Sequence, residues 1–292
     1  GDPNGIGIEI ILKSLSNFIL FQECNFIIYA STGLIEKQKQ HFQIKTPPLK
    51  KINTEEDVQD NEINIKEIFF NSKFNFGESN KELSALGTLS LKKAVEDIKE
   101  NKIDILVTAP INKELSYSTS FRYSGHTDFL KDYFNADPLM LMISGELRIA
   151  LLTDHIPLKN VLDFINKDIV EKKIKVLEKC LVNDFKINKP KIAVLAINPH
   201  AGDNGLIGNE DELIIKPVIN SFKGNTSSVY GPFSADTFFT NENFKKYDAI
   251  IAAYHDQGLI PFKTISFGKG VNFTAGLPIV RTSPDCQRGS EG

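Results

Sequence analysis

Three histidines sit in a shared sequence context. His155 follows the apolar run 148–153, in Thr-Asp-His-Ile-Pro-Leu. His200 follows 191–197, in Asn-Pro-His-Ala-Gly-Asp, and His255 follows 248–254, in Tyr-His-Asp-Gln-Gly. Each run is short and rich in Ile, Val, Leu or Ala, and reads as a buried strand. In parallel α/β sheets, ligands bind beyond the carboxyl ends of the strands. Three imidazoles delivered to that edge could hold one divalent metal and leave positions open for substrate. Neutral imidazole suits zinc and other borderline transition metals. The plainer alternative makes each ring a hydrogen-bonded loop residue, and no HxH or HExxH pattern decides between the two.

Other polar residues stand where chemistry is conceivable. His126 lies in Ser-Gly-His-Thr-Asp, where a helix could start. Thr127 and the following amides suit an oxyanion there, or Thr127 or Ser124 simply caps the helix. Lys263 and Arg281 are cations among apolar and glycine residues, and Asn272 follows Gly268-Lys-Gly270. Glycine lets backbone approach a ligand closely, and Arg, Lys and Asn converging on one phosphate is sensible chemistry. A solvated loop with surface charges is the competing reading. Gly1-Asp-Pro-Asn-Gly5-Ile-Gly7 reads as a turn opening a helix. His41 sits in a polar helical stretch and receives no role.

The elements that would position these residues alternate. Strands are expected at 26–30, 103–108, 148–153, 191–197 and 248–254. Helices are expected after Gly5, at 81–99, from about Asp168, and at 210–222. The helix from Asp168 has Ile169, Val170, Ile174, Leu177 and Leu181 at helical spacing. Strand alternating with helix predicts an α/β fold with mainly parallel sheets. The Lys/Asn-rich stretch 43–80 holds one expected strand, 63–70, in an otherwise surface excursion. There is no GxGxxG after a strand, no GxxxxGK[ST] and no GxSxG, so a Rossmann dinucleotide site, a P-loop and a hydrolase elbow are not expected.

Composition bounds the rest. The chain has 292 residues, 41% hydrophobic and 24% charged, with a net charge of −3. That length suits two ordinary domains or one large one, and the charge favours neither nucleic acid nor an anionic membrane as partner. Cys24, Cys180 and Cys286 are odd in number and far apart, which fits a reducing cytoplasm. No apolar run approaches a membrane span and no signal peptide is visible. The first residue is Gly1 rather than Met, which reads as a trimmed start.

Taken in order, several motifs resemble the 4-hydroxythreonine-4-phosphate dehydrogenase family. They are Gly-Asp-Pro-Asn-Gly-Ile-Gly at 1–7, Thr108-Ala-Pro-Ile-Asn-Lys113, Gly125-His-Thr-Asp, Thr153-Asp-His-Ile-Pro-Leu158 and Asn198-Pro-His-Ala-Gly-Asp203. Gly231-Pro-Phe-Ser-Ala-Asp-Thr237, Tyr254-His-Asp-Gln-Gly258, Gly270-Val-Asn-Phe-Thr and Leu277-Pro-Ile-Val-Arg-Thr-Ser-Pro-Asp285 complete the series.

The resemblance implies a non-Rossmann, two-domain fold like that of isocitrate and isopropylmalate dehydrogenases. The first domain is expected at 1–124 plus 274–292 and the second at 125–273, with the metal site and the interface of a homodimer in the second. It implies that His155, His200 and His255 hold a divalent metal, zinc first, with magnesium, manganese or cobalt as alternatives. It implies that His126, Thr127, Lys263, Asn272 and Arg281 contact substrate, and Gly5 and Gly7 are named for the nucleotide. The implied reaction is NAD-dependent oxidation and decarboxylation of 4-phosphooxy-L-threonine to 3-amino-2-oxopropyl phosphate, in pyridoxal phosphate (vitamin B6) biosynthesis. NAD and NADP are not distinguished.

Asp256 and Lys263 are the candidates for proton transfer, and either could instead orient a ligand histidine. The alternatives carried beside this are a metal-dependent hydrolase or aldolase on a phosphorylated small molecule, and a non-catalytic anion-binding protein. One departure stands out. After Asp285 the family continues with His-Gly-Thr and a further helical segment, whereas this chain reads Cys286-Gln-Arg-Gly-Ser-Glu-Gly292. If Cys286–Gly292 is the true end of the folded chain, NAD affinity is expected to be weak or absent with the metal and substrate residues intact; if the protein continues beyond it, NAD is expected to bind normally.

Overall fold

The computed structural model describes residues 1–3, 5–69, 74, 81–117, 121–224 and 228–285, with the side chains of Lys113 and Glu114 outside the description. The chain divides into two compact units, Gly1–Asp132 and Tyr133–Gly292.

In the first unit, β1 (Phe26–Ala30), β2 (Leu49–Ile52) and β3 (Ile63–Glu67) form a parallel sheet in the order β1-β3-β2. Strand β2 lies in the stretch read as surface excursion. Its Leu-Lys-Lys-Ile buries only its last residue, so the strand signal is weak. Residue 70, the expected end of the next strand, lies outside the described residues; the strand itself closes at Glu67.

Helices α1 (Gly7–Ser14), α2 (Thr32–His41), α3 (Lys81–Lys99), α4 (Lys113–Ser116) and α5 (His126–Phe134) accompany the short strand β4 (Ile105–Val107). Helix α3 matches the expected bounds and buries Leu83, Leu86, Leu91, Val95 and Ile98 along one stripe.

The second unit contains β5 (Leu139–Ser144), β6 (Leu147–Leu151), β7 (Lys191–Leu195), β8 (Ser228–Phe233), β9 (Ala249–Ala252), β10 (Val271–Ala275) and β11 (Val280–Pro284). Within it they run β11-β10-β5-β6-β9-β7-β8. The pairs β6–β9, β9–β7 and β7–β8 are parallel. The pairs β11–β10, β10–β5 and β5–β6 are antiparallel. Parallel pairing therefore prevails in the described sheets, as expected, but an antiparallel block joins it. That block was not foreseen, because β10 and β11 carry Asn272 and Arg281 where a strand signal needs apolar residues.

Helix α6 (Lys167–Asn183) starts at an Asn166 cap, whose side chain accepts from the Ile169 N–H, and buries Val170, Ile174, Leu177 and Leu181 on one face of this sheet. The helix expected at 210–222 is instead a π-turn over Asp211–Ile215 followed by α7 (Lys216–Ser221). Helices α8 (Ala235–Phe238) and α9 (His255–Ser266) lie on the other face. There Leu259 and Phe262 pack with Met142, Ile149, Leu151, Leu195 and Ile250. Gly258 permits this closeness, since a Cβ there would stand 2.6 Å from Leu151 Cδ2 and 3.1 Å from Ala252 Cβ.

Among the described residues no helix is long and apolar enough to cross a membrane. Cys24 and Cys180 are free thiols, and Cys286 lies outside the described residues.

Candidate functional site at the carboxyl edge of β6, β9 and β7

The three histidines leave the sheet on one side. Strands β6, β9 and β7 are adjacent and parallel, and His155, His255 and His200 follow their carboxyl ends. His255 opens α9, with Tyr254 as the extended residue before it. The rings of His155 and His255 lie 5.5 Å apart, centroid to centroid. Two imidazoles bound to one tetrahedral ion stand about 5 Å apart, given metal–nitrogen bonds near 2 Å, so the pair fits a shared divalent cation. His255 Nδ1 is 2.7 Å from Asp256 Oδ1. That bond leaves Nε2 as the nitrogen with a free lone pair, the usual arrangement of a carboxylate behind a ligand histidine. Asp256 thus stands as the orienting group for His255. Asp154 instead accepts from the backbone N–H of His155 over 2.8 Å, and its other oxygen lies 3.9 Å from the ring Nδ1, beyond hydrogen-bond distance.

His200 is presented differently. Residues His200 to Asn204 all take positive φ, a left-handed turn of five residues. Only glycine adopts this freely, and Gly202 is the residue with no room for a side chain, since a Cβ would meet Gly208 O at 2.6 Å. Asp236, at the start of α8, is close enough to feel His200. Its carboxyl is held below its ordinary value, first by the Ser234 hydroxyl, which donates to it over 2.9 Å, and in smaller part by His200. Among the described residues no group of three His, Cys, Asp or Glu could hold a metal ion. The structure thus brings His155 and His255 together, with His200 outside their pair.

Lys263, Asn272 and Arg281 lie in the same unit, each with its own partners. Asn272 pairs directly with Met142 in β5 and so faces the α9 side of the sheet, with Thr274 two residues on. Arg281 is buried, and its Nη1 donates to Thr274 Oγ1 over 2.9 Å. Lys263 projects from α9, with its Nζ 3.2 Å from Asp285 Oδ1. Lys263, Asn272 and Arg281 therefore share one side of the sheet.

The remaining expected residues belong to the first unit. His126 and Thr127 are the first residues of α5, where the Ser124 N–H donates to Asp128 Oδ2 over 3.1 Å. The helix start is thus stabilised by the third side chain of the helix, a capping contact placed on neither Ser124 nor Thr127 in the sequence reading. Gly7 is buried at the start of α1, and Gly5 is exposed with its N–H bonded to Asp2 O at 3.1 Å. The N-terminal turn rests against residues 109–110 and α3, where a Cβ on Gly87 would lie 2.6 Å from Gly1 O.

Asp211, Asp236 and Gln257 at the histidine edge were not singled out in the sequence. Their signal was weak, because each lies within an otherwise ordinary helical or turn segment.

Fold and site define an α/β protein of the kind that handles small ligands at the carboxyl edge of parallel strands. The chain belongs to the family described as pyridoxal phosphate biosynthetic protein PdxA, whose match spans residues 22–288. It is 40% identical to a Sulfurihydrogenibium protein named 4-hydroxythreonine-4-phosphate dehydrogenase, over 98% of this chain and 87% of that one. A Bacteroides thetaiotaomicron protein of the same name is 37% identical, over 97% of this chain and 79% of its own length. The crystal structure of 4-hydroxythreonine-4-phosphate dehydrogenase from Klebsiella pneumoniae superposes with a TM-score of 0.87 at 31% identity, covering 98% of this chain and 87% of that one.

Proposed function

We propose that the chain is a metal-dependent dehydrogenase that oxidises and decarboxylates 4-phosphooxy-L-threonine with NAD, giving 3-amino-2-oxopropyl phosphate for pyridoxal phosphate synthesis. The observation that carries this is the His155–His255 pair at the ends of two adjacent parallel strands, in a chain that belongs to this family.

His155 and His255 hold a divalent ion, zinc first, and His200 completes the set once its turn or a second copy of the chain brings it into reach. A metal bound there would lower the pKa of the substrate hydroxyl and stabilise negative charge on the same oxygen after oxidation. Asp256 fixes the His255 tautomer. Lys263, Asn272 and Arg281 bind the phosphate and carboxylate ends of the substrate, and His126 and Thr127 are further substrate contacts. Lys263 is also the group that returns a proton to the carbon that loses CO₂. Gly5 and Gly7 border the nucleotide.

The proposed organisation is that of isocitrate and isopropylmalate dehydrogenases, with domains 1–124 plus 274–292 and 125–273, acting as a cytoplasmic homodimer.

The test is NADH formation at the nicotinamide band, with the phosphorylated substrate, before and after chelation. Metal-dependent NADH formation with CO₂ release is expected. Phosphate release or carbon–carbon cleavage without NADH would point to a hydrolase or aldolase. Substrate binding with no turnover at all would point to an anion-binding protein.

A further inference from the structure

Asn272 and Arg281 sit within β10 and β11, so pleat and register fix where their side chains stand. Lys263 has no such support. It projects from α9 on a flexible four-carbon stem, and such a side chain carries much rotamer entropy.

A carboxylate ties it down. Lys263 Nζ lies 3.2 Å from Asp285 Oδ1, which joins the helix to the exit of β11. The Asp285 side chain is only 11% exposed. Surface lysine pairs of the same unit look different. The carboxylates of Asp137, Glu171, Glu212 and Glu242, paired with Lys172, Lys175, Lys216 and Lys245, are 33% to 67% exposed. Exposed pairs of that kind contribute little. Asp285 is built in, and its Oδ2 is shut away from solvent with no hydrogen-bond partner among the described residues. A carboxylate so placed depends on the ammonium in front of it.

A glycine makes the room. Val271 pairs with Pro284, so Gly270 and Asp285 stand side by side just beyond that pair. Gly270 lacks the positive φ that calls for glycine. A Cβ there would lie 3.3 Å from Asp285 Oδ2 and 2.7 Å from Cε1 of Phe262, the residue before Lys263 on α9. The glycine thus lets the helix, the start of β10 and the exit of β11 close around one carboxylate.

We propose that Asp285 is a positioning residue that holds the Lys263 ammonium in one place for an anionic group of the substrate. This rests on the reading of Lys263 as a substrate contact given above. An ammonium has three donors, so one can go to Asp285 and two to the ligand. A side chain ordered in advance loses less freedom on binding. Two other roles compete: Asp285 stabilises the fold and no more, or it masks the charge of Lys263.

The full chain, with Zn²⁺ present, is titrated with 4-phosphooxy-L-threonine in a calorimeter, which reads affinity without turnover. The parent is compared with Asp285→Ala, Asp285→Asn, Lys263→Ala and the two double variants, with thermal midpoints recorded beside each. Lys263→Ala should weaken binding about 10- to 100-fold. Asp285→Ala should weaken it about 2- to 10-fold, the worth of ordering one long side chain. Asp285→Asn keeps a neutral acceptor and should fall between parent and Asp285→Ala. Both Asp285 losses should vanish once Lys263 is already alanine, because a group that acts through another has nothing left to act on. A lowered midpoint with parent-like affinity in either Asp285 variant that folds means a structural role and overturns the proposal. Tighter binding means masking and overturns it as well, and so does a loss that persists at full size in the Lys263→Ala background. Parent-like affinity in Lys263→Ala, or no binding by the parent, would instead remove the substrate reading beneath it.

Discussion

The two halves of the second unit's sheet place polar groups in opposite ways. In the parallel half, β6, β9 and β7 all end at one edge, so each can hand a histidine to the same place from the loop or helix that follows it. In the antiparallel half, successive strands end at opposite edges, and Asn272 and Arg281 come from within β10 and β11 instead. A residue after a strand is free of the ladder and can move until something clamps it. A residue within a strand is fixed by the pleat and its register, and needs no clamp. This difference explains why Thr153, Gln257 and Asp211, whose side chains bond to backbone groups at the strand exits, gather on the histidine side.

The largest expected effect breaks the parallel half. His255→Ala removes a ring that both pairs with His155 and leans on Asp256. Divalent metal affinity, measured by competition with a chromogenic chelator, should fall by more than the roughly 10- to 100-fold that removing a supporting group costs. Unchanged affinity would leave the two rings as ordinary loop residues. Asp256→Asn keeps the ring but replaces its charged acceptor by a neutral amide, and should produce that smaller, supporting-group loss.

The antiparallel half is tested through substrate. Lys263→Ala removes one charge-assisted contact without emptying the core, and KM should rise about ten- to a hundredfold, corresponding to about 1.5–3 kcal/mol. Arg281→Ala should raise KM similarly and also lower stability, because Arg281 is buried against Thr274. Metal affinity should stay at the parent value in both variants. A joint loss would mean that the two halves are one site rather than two neighbouring ones.

The seam between the halves and the helix is sensitive to a single methyl. Gly258→Ala places a Cβ against Leu151 and Ala252, and such overpacking should cost about 1–3 kcal/mol, read from denaturant unfolding. If the cost is that of an ordinary helix glycine with a gain from alanine, α9 does not sit as close to the strands as its glycine suggests.

This division also marks what the sequence could disclose. The expected strands that lead to the three histidines are β6, β7 and β9, each dominated by Ile, Val, Leu or Ala, and all three were legible. Helix α6 was legible from its stripe of Val170, Ile174, Leu177 and Leu181. Strands β10 and β11 were not, since Val-Asn-Phe-Thr-Ala and Val-Arg-Thr-Ser-Pro put polar residues on the α9 side of the sheet. Lys263, Asn272 and Arg281 were nonetheless picked out, because their residue types are unusual beside glycine and apolar neighbours. The bonding roles of Gln257, although it lies in the motif Tyr254-His-Asp-Gln-Gly258, and of Asp211 were not legible, for a physical reason. A residue that bonds backbone groups 61 and 14 residues away in sequence leaves no local pattern.

The smallest effect concerns the ion cluster around Asp97 in the first unit, whose side chains come from β1, β3, α3 and the turn at Glu55 rather than from either half of the second unit's sheet. Asp97 is buried near the end of α3. Burial works against its charge, but hydrogen bonds from Lys66 and Tyr29, each 2.6 Å from the same oxygen, hold its carboxyl below the usual 3.8. Lys66 also reaches Glu55, and these partners raise it above its usual 10.5 against the opposing effect of burial. Burial first, then Asp97, pushes the Tyr29 phenol up, so it remains a neutral donor.

The contribution of Asp97 is full above its unfolded pKa of 3.8 and is lost as pH falls through its lower folded value. That of Lys66 is full below its unfolded pKa of 10.5 and is lost as pH rises through its higher folded one. Stability from this cluster is therefore flat between those limits and declines outside them. Asp97→Asn should cost about 1–2 kcal/mol at neutral pH and flatten the acid limb below pH 4, followed by thermal midpoints at a series of pH values. The metal affinity and KM of this variant should match the parent. A shift in either would show that the first unit's ion cluster reaches the chemistry, and the contrast between the sheet halves would then no longer describe the whole site.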